Sequence, residues 1–408
     1  MTDRKPGKHA LTFIFITVLI DMIGIGIILP VLPGLLVDLT GQPLANAALW
    51  GGALATLYAL MQFVFAPLIG NLSDRFGRRP VLLFSMAGFA LDYLIMGLAP
   101  VLWVLFIGRA LSGVFGATMT TAGAYIADIT PPEKRGGNFG LIGAAFGLGF
   151  VIGPAVGGVL GEIDVHLPFF AAAGLSLLNL VYGYFVLPET LAPENRRAFS
   201  FKNANPLGAL KDIRPYPVVY GLMGAFGLFF LGHTSLPIIW SYFGMESFGW
   251  SQLDVGLSLT AVGLLTAIVQ GGLARILIPK MGAKFAALFG FSVATLSYFA
   301  YAFAPNPAFI YAVIVIGSIA GIGGPALQGI VSNEVPANMQ GALQGAIGSV
   351  RGLTAVIGPG IMTWIFFLFA KDDAAIYLPG APFILAGLLS VGAVYIIWRV
   401  IGHRKVVA

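Results

Sequence analysis

Asp21, Asp92, Arg109 and Arg351 lie inside long apolar runs of a 408-residue chain in which only 10% of residues are charged. An unpaired charge inside a bilayer is costly, so an ionisable side chain kept there needs a partner or a task. Asp21 and Asp92 each stand about eleven residues into their runs, roughly 16 Å deep at 1.5 Å per residue. A carboxylate at that depth can take up and release a proton, because protonation removes the buried charge. The structural alternative is a hydrogen bond or ion pair to a neighbouring helix. Arg109 stands in IGRALSGVFGA. A buried guanidinium needs a carboxylate or backbone carbonyls. Asp21 is a candidate partner, and a proton relay is the functional reading. Arg351 also falls near the middle of its run, and the second half has no acid clear of a span boundary. Three readings stay open for it: a pair with Asp21 or Asp92, an anchor for an anionic part of a substrate, or snorkelling into a water-filled cavity.

The rest of the composition excludes most other chemistry. There is no cysteine, and His9, His166, His233 and His403 are scattered, which gives no metal-ligand spacing. No phosphate-binding G-x-x-x-x-G-K-[ST] loop and no hydrolytic triad can be argued, so an enzyme or an ATP-driven pump is not expected. The net charge of +5 is spread over short loops without interleaved aromatics, so nucleic acid is not an expected partner. Soluble domains carry about 25% charged residues; with 58% hydrophobic residues and 55 glycines, this chain fits a polytopic helical membrane protein.

The elements that must hold these residues are twelve spans, near 10–36, 47–70, 81–99, 101–125, 138–160, 166–187, 218–243, 252–276, 284–303, 308–330, 340–365 and 379–401. The basic start MTDRKPGKHA precedes an apolar run too long for a signal peptide, which reads as a retained first helix. Of the 22 Lys and Arg, only Lys371 falls in the loops opposite the termini, with Arg109 and Arg351 inside spans. The positive-inside rule then puts the charged turns and both termini in the cytoplasm. Residues 188–217 read as a cytoplasmic linker between two six-helix bundles, 1–187 and 218–408. The bundles repeat at one offset: Arg75–Arg79 answers Lys280–Lys284, Ala99-Pro100 answers Ala304-Pro305, and Val151–Pro154 answers Val356–Pro359. Two parallel six-helix repeats predict an all-α membrane protein with substrate bound near the midplane.

Gly70–Pro80, GNLSDRFGRRP, joins the second and third spans. Its residues Gly70, Asp74, Arg75, Gly77, Arg78 and Arg79 are either a solvated turn or a latch that controls the conformational switch. Gly149, Gly153, Pro154, Gly157 and Gly158 belong to a glycine-rich fifth span, where small residues allow close helix contact and proline bends the helix. Gln62, Gln270 and Gln328, polar residues within spans, are helix–helix contacts or substrate contacts.

These motifs carry a resemblance. The chain resembles the major facilitator superfamily, drug/proton antiporter type, and in particular the tetracycline/proton antiporters. G-x-L-x-D-R-x-G-R-R at Gly70–Arg79 is similar to the superfamily's loop signature. IGRALSGVFGA resembles its fourth-helix proton-relay motif, and GFVIGPAVGG its fifth-helix antiporter motif. LIDMIGIGIILPVLP, YALMQFVFAP, ALDYL and QGALQG narrow the resemblance to the tetracycline group. It implies the twelve-helix major facilitator fold, required roles for Asp21, Asp74, Asp92 and Arg109, and proton-coupled export of a tetracycline-like or other small amphipathic drug by alternating access. It further implies a bacterial inner-membrane location, no cofactor beyond the proton gradient, a monomer, and a substrate that can be a divalent-metal chelate. In the second half, Thr266 stands where the group commonly has a histidine, Thr295 stands near an aspartate of some members, and Arg351 is outside the pattern. The alternatives are a proton-coupled uptake carrier for a small organic anion, with Arg351 as its anchor, and a sensor that transports nothing.

Overall fold

A computed structural model describes residues 10–116, 118–130, 135–197 and 207–402, with the backbone alone for 10, 118–120, 135–142, 337 and 402. Arg4, Lys5, Lys8, His9, Lys134, Lys202, His403, Arg404 and Lys405 lie outside the described residues. The described chain is helical, with no strand. Its helices are α1 (Ala10–Ile28), α2 (Leu32–Thr40), α3 (Leu44–Phe76), α4 (Arg78–Leu98), α5 (Leu102–Phe115), α6 (Thr118–Ile129), α7 (Arg135–Ile163), α8 (Leu167–Val186), α9 (Gly208–Asp212), α10 (Pro217–His233), α11 (Ser235–Phe248), α12 (Gln252–Ile268), α13 (Ala274–Met281), α14 (Ala283–Ala302), α15 (Pro307–Ser318), α16 (Gly323–Asn333), α17 (Gln340–Ala370) and α18 (Ala381–Gly402). Among the described residues, eleven segments are long and apolar enough to cross a membrane, and α5 is a shorter apolar helix. Large apolar side chains such as Phe185 and Leu296 are turned outward, as lipid-facing residues are.

Several expected spans are subdivided, each for a local reason. The first breaks at Leu29–Val31, because Pro30 has no N–H to continue the ladder, and Pro33 sits in the first turn of α2. The eighth runs from α12 through a π turn, Val269–Leu273, into α13. The tenth passes through a 3₁₀ turn at Ile319–Ile322.

The internal repeat is visible in the backbone. Gly77 (φ 108°) and Gly282 (φ 78°) stand at equivalent places, each the single residue between two helices. Pro154 and Pro359 lie inside α7 and α17. By contact the chain forms two units, Met1–Gly41 with Leu57–Asn205 and Ser251–Thr260, and Gln42–Thr56 with Pro206–Trp250 and Ala261–Ala408. The first has a core around Phe13, Ile14, Met22, Leu82, Met86 and Tyr125. The second has one around Leu222, Phe226, Phe291, Leu327, Leu343 and Ile397.

Candidate functional site

In the first unit α4 and α5 form an antiparallel hairpin, and this brings Asp92 and Arg109 together. Asp92 is fully buried and its Oδ2 accepts from Arg109 Nη2 in an ion pair. Gly108 makes room for it: a Cβ there would lie 2.8 Å from Asp92 Oδ1. The guanidinium also lies 5.6 Å from the Tyr58 ring on α3. One turn along α3, Gln62 Nε2 donates to Gly116 O at 2.8 Å and to the Tyr58 hydroxyl at 3.3 Å. The expected Arg109 partner, Asp21, is corrected here: consecutive helices supply the nearer carboxylate.

Asp21 is buried on α1 and pairs with no cation among the described residues. Its Oδ1 accepts from Asn179 Nδ2 of α8 at 3.1 Å, and the same amide donates to Thr17 O at 3.1 Å. Asp21 Oδ2 and Asn179 Oδ1 are left without partners. Asn179 was not singled out from the sequence, though a lone Asn in the apolar run of α8 was the available signal.

The charged Gly70–Pro80 stretch is mostly helix, with only Gly77 as a loop. Asp74 Oδ1 meets Arg78 Nη1 at 2.5 Å, and Arg78 Nε reaches Asp128 Oδ2 on α6 at 3.0 Å. Glu189, beyond α8, accepts from the backbone N–H of Arg78 at 2.8 Å and of Arg79 at 3.2 Å, capping α4. Arg79 Nη2 donates to Tyr184 O at 2.7 Å, and Arg75 lies over the Phe76 ring. Gly70 has open space on its side-chain face. Asp128 and Glu189 are the partners sequence reasoning missed.

On α7, Gly149, Gly153 and Gly157 recur every fourth residue, one stripe packed on the α1 backbone at Met22, Ile23, Gly26 and Ile27. Pro154 lies against Gly26, and Gly158 against Gln252, Leu253 and Gly256 of the same unit. Thr260 Oγ1 donates to Val151 O at 3.0 Å, and Glu162 Oε1 accepts from Leu253 N at 3.0 Å.

The second unit holds a different group of residues. Arg351 on α17 is exposed, makes no ion pair among the described residues, and lies 4.8 Å from the Phe230 ring of α10. One turn along α10, His233 Nδ1 is 3.0 Å from the Tyr298 hydroxyl of α14, and its ring stacks on Phe229. Gln328 Nε2 donates to Gln344 Oε1 at 3.2 Å. Gln270 is exposed in the π turn and Thr266 is half-buried on α12. Thr295 bonds Ser390 Oγ at 2.8 Å. Among the described residues no cluster of His, Cys, Asp and Glu fits a metal ion.

A family model described as Major Facilitator Superfamily matches residues 14–359. Tetracycline resistance protein class C of Escherichia coli is 41% identical over 392 residues, covering 94% of this chain and 98% of the relative. The class B protein of Escherichia coli is 39% identical over 355 residues, covering 85% and 86%. A solved bacterial homolog to the human lysosomal transporter Spinster, inward-facing, aligns over 100% of both chains with a TM-score of 0.79 at 16% identity, a likeness of fold. Apolar spans, repeated bundles and buried charges thus meet close relatives over nearly the whole length, and the chain, an integral membrane transporter and not an enzyme, belongs to the major facilitator superfamily and within it to the tetracycline resistance proteins.

Proposed function

We propose that this transporter exports a tetracycline-like or other small amphipathic drug in exchange for protons, by alternating access. The observation that carries the reading is the buried Asp92–Arg109 pair. A proton arriving on Asp92 removes the charge that holds the guanidinium, so Arg109 must find another acceptor and α4 and α5 lose their tie. Asp21, held by the neutral Asn179 amide, gains and loses a proton without breaking an ion pair. The two carboxylates therefore divide the work: Asp21 binds the proton, and Asp92 with Arg109 turns protonation into movement. The repeats that exchange access are residues 1–187 and 218–408, joined by the linker 188–217. Gly70, Asp74, Arg75, Gly77, Arg78 and Arg79 set the rate of the switch, and the Gly149–Gly158 stripe lets α7 move closely along α1. Gln62, Thr266, Gln270, Gln328 and Arg351 are the substrate-contact candidates. The proton gradient is the driving force and the protein works as a monomer in a bacterial inner membrane, with both termini cytoplasmic. A divalent-metal chelate is an acceptable substrate form.

Everted vesicles test this directly. Adding tetracycline should release protons from acidified wild-type vesicles, and neither Asp21→Asn nor Asp92→Asn should respond. Wild-type proton release from both variants would remove the mechanism. Asp74→Ala should slow turnover and leave equilibrium binding nearly unchanged, because the Asp74–Arg78 pair is part of the switch. A second reading, uptake of a small organic anion, is favoured by one observation, the unpaired Arg351. Inward accumulation of a carboxylate driven by an imposed proton gradient would support it over export.

A further inference from the structure

We propose that the second unit carries a binding site for an organic anion with an apolar body, built from Arg351, His233 and the Phe229 and Phe230 rings. The proposal names the substrate class of the transporter described above and rests on that reading.

Four side chains from two helices, α10 and α17, lie side by side, and α14 supports them. Arg351 of α17 covers the Phe230 ring at 4.8 Å. Phe230 and Phe229 are neighbours, with centroids 6.3 Å apart. His233 stacks on Phe229 at 5.6 Å with 17° between the ring planes. Phe229 is fixed from behind by an edge contact with Phe291, centroids 4.5 Å apart. Tyr298, only 2% exposed, holds His233 Nδ1 at 3.0 Å. When that hydroxyl donates to Nδ1, the His233 Nε2–H is left as a donor.

The charge pattern identifies the ligand. Both Arg351 and His233 are exposed, and no carboxylate is paired with either among the described residues. An arginine keeps its charge at any ordinary pH, and within a membrane span that charge has to be neutralised. The cation–π attraction of the Phe230 ring is weaker than a charge-assisted hydrogen bond and does not replace an anion. A ligand carboxylate or enolate would complete the guanidinium with paired, charge-assisted hydrogen bonds. The half-buried Phe229 and Phe230 rings beside it, tilted 56° to each other, offer an apolar surface, so the ligand body should be apolar. His233 Nε2–H adds a second donor, which favours a ligand with a second acceptor.

The probe is 2-naphthoate, with the neutral 2-naphthamide as its isostere, measured by fluorescence titration on the purified full-length protein. The wild type should bind the acid at least tenfold more tightly than the amide, the size of one charge-assisted contact. Arg351→Gln should lose about that factor for the acid and leave the amide unchanged, so amide binding also reports folding. His233→Gln should weaken the acid by a smaller factor, roughly threefold. If Arg351→Gln does not elute as a monodisperse species, Phe230→Leu takes its place, with acid and amide both expected to weaken. Equal affinity of the wild type for acid and amide overturns the proposal, as does an equal loss for both in Arg351→Gln. Tetracycline-driven proton release in everted vesicles is measured in parallel. If proton release fails while naphthoate binding depends on Arg351, export is wrong and the anion site stands. If export holds and naphthoate binding ignores Arg351, only the anion site is wrong.

Discussion

The two units repeat one backbone plan and differ in the charges that plan carries. The first places its buried carboxylates, Asp21 and Asp92, against an amide and a guanidinium. The second has a guanidinium and an imidazole against aromatic rings, with no acid paired to them among the described residues. Gly77 and Gly282, or Pro154 and Pro359, show how closely the plans agree. A repeated fold thus does not imply a repeated task. Carboxylates can exchange protons at ordinary pH, and an arginine cannot. On the function proposed above, proton handling belongs to the first unit and ligand charge to the second.

The largest effect expected from breaking this contrast is at Asp92. Asp92→Asn leaves Arg109 buried without its carboxylate, a loss of about 3–5 kcal/mol, and should lower the thermal midpoint as well as stop drug-driven proton release. Asp21→Asn should stop proton release while costing stability only about 1 kcal/mol, because Asn can still bond Asn179. A melting shift as large as that of Asp92→Asn would show that Asp21 is structural. Smaller effects compare the repeat with itself. Gly77→Ala and Gly282→Ala both force a side chain into a backbone region that costs about 1–3 kcal/mol. At Gly77 the added Cβ also runs into the Glu189 carboxylate, whereas nothing lies within 4 Å at Gly282. Thermal unfolding should therefore rank Gly77→Ala as the more damaging, and the reverse order would refute the capping role of Glu189. Smallest of all, Gln62→Ala should cost about 1 kcal/mol for its bond to Gly116 O. Exposed Gln270→Ala should stay within about 0.5 kcal/mol.

The helices, the repeat and the positions of the buried charges were legible in the sequence, because apolar runs and intramembrane ions carry large transfer costs that leave a plain pattern. Partners were less so. Arg109 was matched to Asp21 when Asp92 was nearer, since distance across a hairpin depends on where each helix starts and how it is rotated. Asn179, Asp128 and Glu189 were overlooked because a single polar residue has no period to betray it. His233 appears only as one of four scattered histidines, and its place beside Tyr298 comes from α10 meeting α14. The break at Pro30 could have been read from its missing N–H. The π turn had no comparable mark.

That π turn, Val269–Leu273, bears on how the chain tolerates insertion and deletion. It fits one more residue into a turn than an α-helix does, without changing which way the flanking stretches face. Removing Gly271 should restore an ordinary helix and leave α12 and α13 in their present orientation. The same deletion a turn away would rotate everything beyond it by about 100°. The eighth span thus has one place where its length can change by a residue without rotating the rest, so length variants selected from a library should cluster there.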